Sequence, residues 1–159
     1  MAVINVTSGS QAILTLGNSS TIAQPGNAAG FVIPLVQDIT VNTTPGTVRY
    51  STLDSTASSA FTTVMENSVS LNMLVDEAAF FGDSGVSNNT VRTAGIWSTS
   101  NTKTEVFFSV AFEGDTGGDY YMSGKGFIGG LAPTASIEQA VWISPMEIIV
   151  NGDITTTTV

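Results

Sequence analysis

The 159-residue chain is long enough for one domain with a real core, and its 42% hydrophobic content is that of an ordinary globular protein. Only 11% of it is charged, and thirteen acids against four scattered bases give a net charge of -9, which excludes a basic surface for gripping nucleic acid. With neither Cys nor His, the chain has no thiol nucleophile, imidazole base, disulfide, or nitrogen or sulfur metal ligand.

Met1 to Ser10 (MAVINVTSGS) are small and polar and read as an N-terminal arm without a core of its own. The segment has no basic stretch and no apolar centre, so a secretory signal is not expected, and no apolar run of about 18 residues offers a membrane span. Ala12 to Leu16 (AILTL) predicts a short strand, closed by the turn residues Gly17-Asn18-Ser19-Ser20. Phe31 to Val41 (FVIPLVQDITV) is an apolar β run in which Pro34, lacking an N–H, marks an edge or a bulge.

Gly46 to Leu53 and Glu66 to Leu74 predict two more strands. The second alternates cleanly, with Val69, Leu71 and Met73 on a core face and Glu66, Ser68, Ser70 and Asn72 on a wet one. Between them lies Thr52 to Thr63, small and polar and far longer than a connection between adjacent strands needs. A loop of that kind is either functional or disordered.

After Asp76-Glu77 and Phe80-Phe81, the residues Ser87, Asn88 and Asn89 offer helix N-caps, and Val91, Ala94 and Trp97 fall at helical spacing. One short helix is expected from Asn89 to Ser98. Thr104 to Glu113 alternates again, with Val106, Phe108, Val110 and Phe112 inward. The turn Gly114 to Gly118 then reverses the chain into Asp119 to Ile128. Gln139 to Asn151 predicts a last strand with Pro145 as an edge or bulge mark, and Thr155 to Val159 (TTTTV) reads as a C-terminal arm.

The expected fold is mainly β and spans residues 1–159 as a single domain. It is an antiparallel β-sandwich or partial barrel with one short flanking α-helix, extended terminal arms and a long inter-strand loop. Such a sheet has edges that must be blunted or paired, and identical subunits meeting edge to edge around a ring would remove them.

No catalytic, cofactor-binding or metal-binding residue is assigned. Glu66, Glu105, Glu113 and Glu147 are the candidates for a paired-carboxylate glycosidase, but solvated acids on polar strand faces explain them better. The Glu113 to Asp119 oxygens lack the spacing of a calcium loop and suit a hairpin turn. Gly124-Lys125-Gly126 and Gly129-Gly130 have no following Ser or Thr of a phosphate loop and suit bulges or tight packing. Of the aromatics, Trp97, Trp142, Phe80, Phe81, Phe108 and Phe112 read mostly as core. Phe61 in the polar loop and Phe107 on the outer face of its strand are interface candidates.

In order, the segments RYSTLDSTASSAFTTVMENSVSLNML (Arg49 to Leu74), NNTVRTAGIWSTS, TEVFFSVAFEGDTGGDYYMSGKGFIGGL and SIEQAVWISPMEIIVNGDI resemble the major tail tube protein of long-tailed, lambda-like bacteriophages. The resemblance runs from about Ala12 to Thr155, with STLDST as its sharpest local match. DEAAFFGDSGV (Asp76 to Val86) departs from it, being longer than the family needs before its helix.

The resemblance implies a structural virion protein made in the host cytoplasm, not an enzyme and without a cofactor. Its copies would form homo-hexameric rings stacked into a tube through which DNA passes without specific binding. Partners would be tail tip or initiator, tape-measure and terminator proteins, with no membrane. It also implies that the long loop, through Leu53, Asp54, Ser55, Thr56 and Phe61, contacts neighbouring subunits. A polar strand face carrying Glu66, Ser68, Ser70, Asn72 and Glu147 would line the lumen, although the same face would suit bulk solvent equally well. A carbohydrate-binding or adhesin β-sandwich is the other class the composition allows.

Overall fold

The computed structural model describes residues 12–53, 56–86, 88–112 and 120–158. All nine strands belong to one antiparallel sheet. They are β1 (Ile13–Gly17), β2 (Phe31–Val32), β3 (Val36–Tyr50), β4 (Ser59–Leu74), β5 (Glu105–Ala111), β6 (Tyr120–Gly129), β7 (Thr134–Ser136), β8 (Gln139–Val150) and β9 (Thr155–Thr158). The main path is β2-β1-β5-β6-β8-β4-β3, with β7 beside β8 and β9 beside β6. Two helices, α1 (Glu77–Phe81) and α2 (Thr90–Asn101), lie between β4 and β5 in sequence.

The alternation expected in β4 and β5 is present. Val69, Leu71 and Met73 are buried, as are Val106, Phe108 and Val110. They share one sheet face with Leu14, Leu16, Ile128, Met146 and Ile148, and Phe80, Val91 and Ile96 of the helices close the core over it. A sheet with one apolar face needs such a cover, and two helices supply it.

The sheet curls without closing. β2 and β3 stand at opposite ends of the strand order, yet only Ile33, Pro34 and Leu35 join them. Four residue steps reach at most about 14 Å, so the two ends must be near one another. Ile33 N–H still bonds to Leu14 of β1 at 2.9 Å, whereas Leu35 C=O accepts from Leu74 of β4 at 3.1 Å. The run expected as one strand from Phe31 to Val41 is therefore broken by a corner. Pro34 sits at that corner, and Leu35 takes the left-handed φ of 56°.

Pro145 does lie inside a central strand, and the ladder tolerates it. Val75 N–H bonds to Trp142 C=O at 2.8 Å, so by alternation the Pro145 nitrogen faces away from β4. On that other side β6 pairs only as far as Glu147 and β7 begins at Ile143, so no partner strand asks Pro145 for a donor.

The helical layer differs from expectation in having two members. Asp76 caps α1, its carboxylate accepting from Ala79 N–H at 2.9 Å, within the segment that departs from the family resemblance. Asn89 caps α2, its side-chain oxygen accepting from Val91 N–H and Arg92 N–H. The two helices cross at backbone contact: Gly95 breaks α2 with a φ of 80°, and a Cβ there would fall 2.4 Å from the Gly82 nitrogen. Ser87, one of the expected caps, lies outside the described residues, as do the Met1 to Ser10 arm and the Gly114 to Gly118 turn.

Thr155–Thr158, read from sequence as an arm, pair as β9 with Tyr120 to Ser123 of β6, all four side chains being exposed.

Candidate assembly surfaces

The wet face of the sheet brings the polar candidates together. Ser68, Ser70 and Asn72 of β4 lie opposite Ile149, Glu147 and Pro145 of β8, so Ser70 and Glu147 are direct cross-strand neighbours. On the other side of β4, Asn72, Ser70, Ser68 and Glu66 face Asp38, Thr40, Asn42 and Thr44 of β3. Asn72 donates to both Asp38 carboxylate oxygens, at 3.1 and 2.9 Å. Glu66, Asn42, Thr44 and Glu147 border one open hollow of this face.

Towards β1 and β5 the same face is covered. The Ser109 hydroxyl donates to Ala23 C=O, and Ala23 is buried there with Thr15. The open part is thus a largely polar surface of β6, β8, β4 and β3, with the exposed Phe127 and Ile149 among its polar groups. Its acids are Asp38, Glu66 and Glu147, Lys125 is its base, and Glu105 of β5 stands at its border.

Lys125 is held at 3.4 Å from Glu105, whose other oxygen accepts from Asn151 at 2.6 Å. The Asn151 hydrogen bond, with help from the Lys125 charge and against some desolvation, holds the Glu105 carboxyl below the ordinary carboxylate range. A glycosidase acid needs the opposite shift, so Glu105 is unsuited to that role.

The second surface is an arm. β8 pairs β4 only from Ser68 to Leu74, whereas β3 and β4 remain paired out to Tyr50 and Ser59. From Asn67 outward the two strands run on for about 30 Å as a hairpin with no third strand among the described residues. The long loop expected over Thr52 to Thr63 is shorter in the structure, because Ser59 to Thr63 belong to β4. Gly46 to Leu53, expected as a separate strand, is largely the continuation of β3.

A bulge bends this arm where the register slips between Pro45 and Thr47. A Cβ on Gly46 would stand 2.1 Å from the Thr63 hydroxyl and 3.0 Å from the Val64 carbonyl oxygen, so a side chain there forces the bulge to shift. Beyond the bulge Val48 and Phe61 are cross-strand partners, and the Tyr50 and Phe61 rings sit 6.2 Å apart. All three are about half exposed, and Val64, Met65 and Leu53 add further exposed apolar surface. Asn67, buried at the root, donates to Gly152 C=O at 3.2 Å and fastens the arm to the body. Of the expected interface residues, Leu53, Thr56 and Phe61 lie on the arm or its tip; Asp54 and Ser55 are outside the described residues.

A third surface was not expected. Trp97, Trp142 and Phe81 were read as core, yet they are 38%, 56% and 64% exposed. With Phe80, Val75 and Pro133 they line an apolar groove of about 500 Å3 between the helices and the β7–β8 hairpin. Phe80 forms its floor, edge-on to Phe81 at 5.2 Å and tilted against Trp97 at 5.7 Å. Composition treats any Trp as a core residue, and no local pattern separates these: Phe81 ends α1, whereas Trp97 and Trp142 lie inside α2 and β8 and are exposed because nothing among the described residues packs over them.

No protein-family model matches the sequence, and no curated protein does. Solved structures do match in shape. The SPP1 tail tube subunit superposes with a TM-score of 0.67 at 11% identity, over 97% of this chain and 80% of that one. The chain has the tail-tube fold. A protein of the tail of the empty gene transfer agent particle, refined with C6 symmetry, shares this tail-tube fold at a TM-score of 0.60 and 14% identity, over 96% of this chain and 99% of the other. The tube-terminating cap of the anti-feeding prophage matches at 0.61 and 13%, over 100% and 95%.

Proposed function

We propose that this protein is the building block of a long-tailed phage tail tube: six copies close a ring, rings stack, and the genome leaves through the lumen. The observation that carries the reading is the arm. A two-stranded hairpin with apolar side chains on it is marginal by itself in water, so an arm of this length implies a surface on another molecule. The body that bears it has the fold of proteins named as tube and tail subunits, one of them in a tail of C6 symmetry.

The wet face supplies the wall. Six such faces of four strands each, at about 4.8 Å per strand, give a circumference of roughly 115 Å and so a diameter of about 37 Å between backbones. Strand tilt widens that further, and a duplex about 20 Å across then passes with side chains in place. Glu66, Ser68, Ser70, Asn72 and Glu147 would face the DNA. A cationic wall would hold the genome through counterion release, whereas an anionic and hydroxyl-rich wall lets it slide.

The arm, with Leu53, Asp54, Ser55, Thr56 and Phe61, joins subunits and rings. In this reading the protein belongs to the virion tail, assembles in the host cytoplasm and meets tip, tape-measure and terminator proteins. The test is negative-stain electron microscopy of the purified chain across concentrations, with mass measurement. Hollow rings or tubes of uniform width are expected. A monomer at every concentration that gains thermal stability with a glycan would replace this reading with a carbohydrate-binding module.

A further inference from the structure

Resting on that reading, we infer that the aromatic groove beside α1 and α2 is the socket for the arm of a second copy of this chain. Both surfaces are apolar and exposed among the described residues. Arm and groove also lie at opposite ends of the same strand. The arm leaves β4 at Asn67, whereas the groove begins at Val75 and Trp142, just past the other end of β4. Phe61 and Val75 are fourteen positions apart along an extended chain, roughly 45 Å. The arm therefore cannot fold back into its own groove.

Two complementary surfaces facing opposite ways make a head-to-tail contact, and head-to-tail contacts propagate from copy to copy. Chemistry matches as well. Val48, Tyr50 and Phe61 present an aliphatic and two aromatic groups. The groove answers with Phe81, Trp97 and Trp142 around the Phe80 floor. Arg49 lies between Val48 and Tyr50 in sequence but on the other face of the hairpin, so the proposed contact is apolar.

The chain has no cysteine, so introduced thiols report on one contact only. Ser59→Cys sits opposite Tyr50 on the arm, and Ala135→Cys sits opposite Trp142 beside the groove; both positions are exposed and leave the proposed anchors intact. The two variants are mixed under assembly conditions and treated with a short bis-maleimide, with electron microscopy of the same sample. A covalent dimer is expected from the mixture and from neither variant alone. Adding Trp142→Ser to the Ala135→Cys chain should lower its yield about tenfold while leaving the melting temperature unchanged. Tubes without the cross-link would overturn the socket but keep the tube, giving the groove to another occupant such as the Met1 to Ser10 segment. Neither tubes nor cross-link at any concentration would remove both.

Discussion

Phe61→Ser separates assembly from folding. A buried Phe side chain removes roughly 200 Å2 from water, and Phe61 is already about half covered in the isolated subunit, which leaves about 100 Å2 for a partner to bury. At about 25 cal/mol per Å2 that is 2.5 kcal/mol, and ordering the ring lowers it to about 2 kcal/mol net. One such contact per subunit predicts a rise of roughly 30-fold in the concentration at which assembly begins. Within the chain, Phe61 touches Tyr50 on the same arm, outside the core over which the body folds, so the thermal melt should stay within a degree or two. The assay is light scattering against concentration, with a melt of the dilute subunit alongside. An onset within threefold of the parent would refute the reasoning, because the arm would then contribute nothing through its most apolar cross-strand pair.

Other outcomes follow from single residues. Asn89→Ala removes the α2 cap and the donors to Leu16 and Ala29 C=O at 3.1 and 2.9 Å from a fully buried side chain, so about 3 kcal/mol and roughly 8 °C should be lost in calorimetry. Gly46→Val should leave the melt of the body intact and reduce tubes in electron microscopy, because a branched side chain would press on Thr63 and the Val64 carbonyl and shift the bulge that aims the arm. Glu66→Lys should leave assembly intact yet slow genome release, and unchanged infectivity would count against a lumen position. Asn151→Ala should raise the Glu105 titration midpoint towards the ordinary range, read by NMR. The depressed carboxyl contributes stability that is present above its unfolded pKa and lost as pH falls through the folded one, so the variant's acid dependence should flatten.

Much of this fold is written in local alternation. Val69-Leu71-Met73 and Val106-Phe108-Val110 declare their faces because every second residue meets the same core, and Asn89 declares its helix because a side-chain oxygen there satisfies two free N–H groups. The polar partners Ser68, Ser70 and Asn72 are legible for the same reason. That Glu147 stands against Ser70 depends on a pairing between segments far apart in sequence, which no local pattern encodes.

Two misreadings have a common origin in special backbone residues. Pro45-Gly46 looks like a break between strands but is a bulge inside one, whereas Pro34 looks like a bulge but is a corner between two. In both places the residue announces an irregularity, and only the tertiary pairing decides which kind. Helix α1 is not legible in the sequence because a five-residue turn is too short for periodicity to show.

The place of β8 bears on how the chain is made. β8 lies between β6 and β4, so without it the ladder falls into two pieces, β2-β1-β5-β6 and β4-β3, with no strand-to-strand pairing between them among the described residues. Until β8 docks, the chain carries its hydrophobic sheet face in two halves, and long-range pairing of this sort is slow. The arm belongs to the β4-β3 piece, whereas the groove needs β8 itself, since Trp142 lines it. A subunit thus acquires both of its sticky ends in a fixed spatial relation only once β8 is in place, which delays polymerisation until the body is folded.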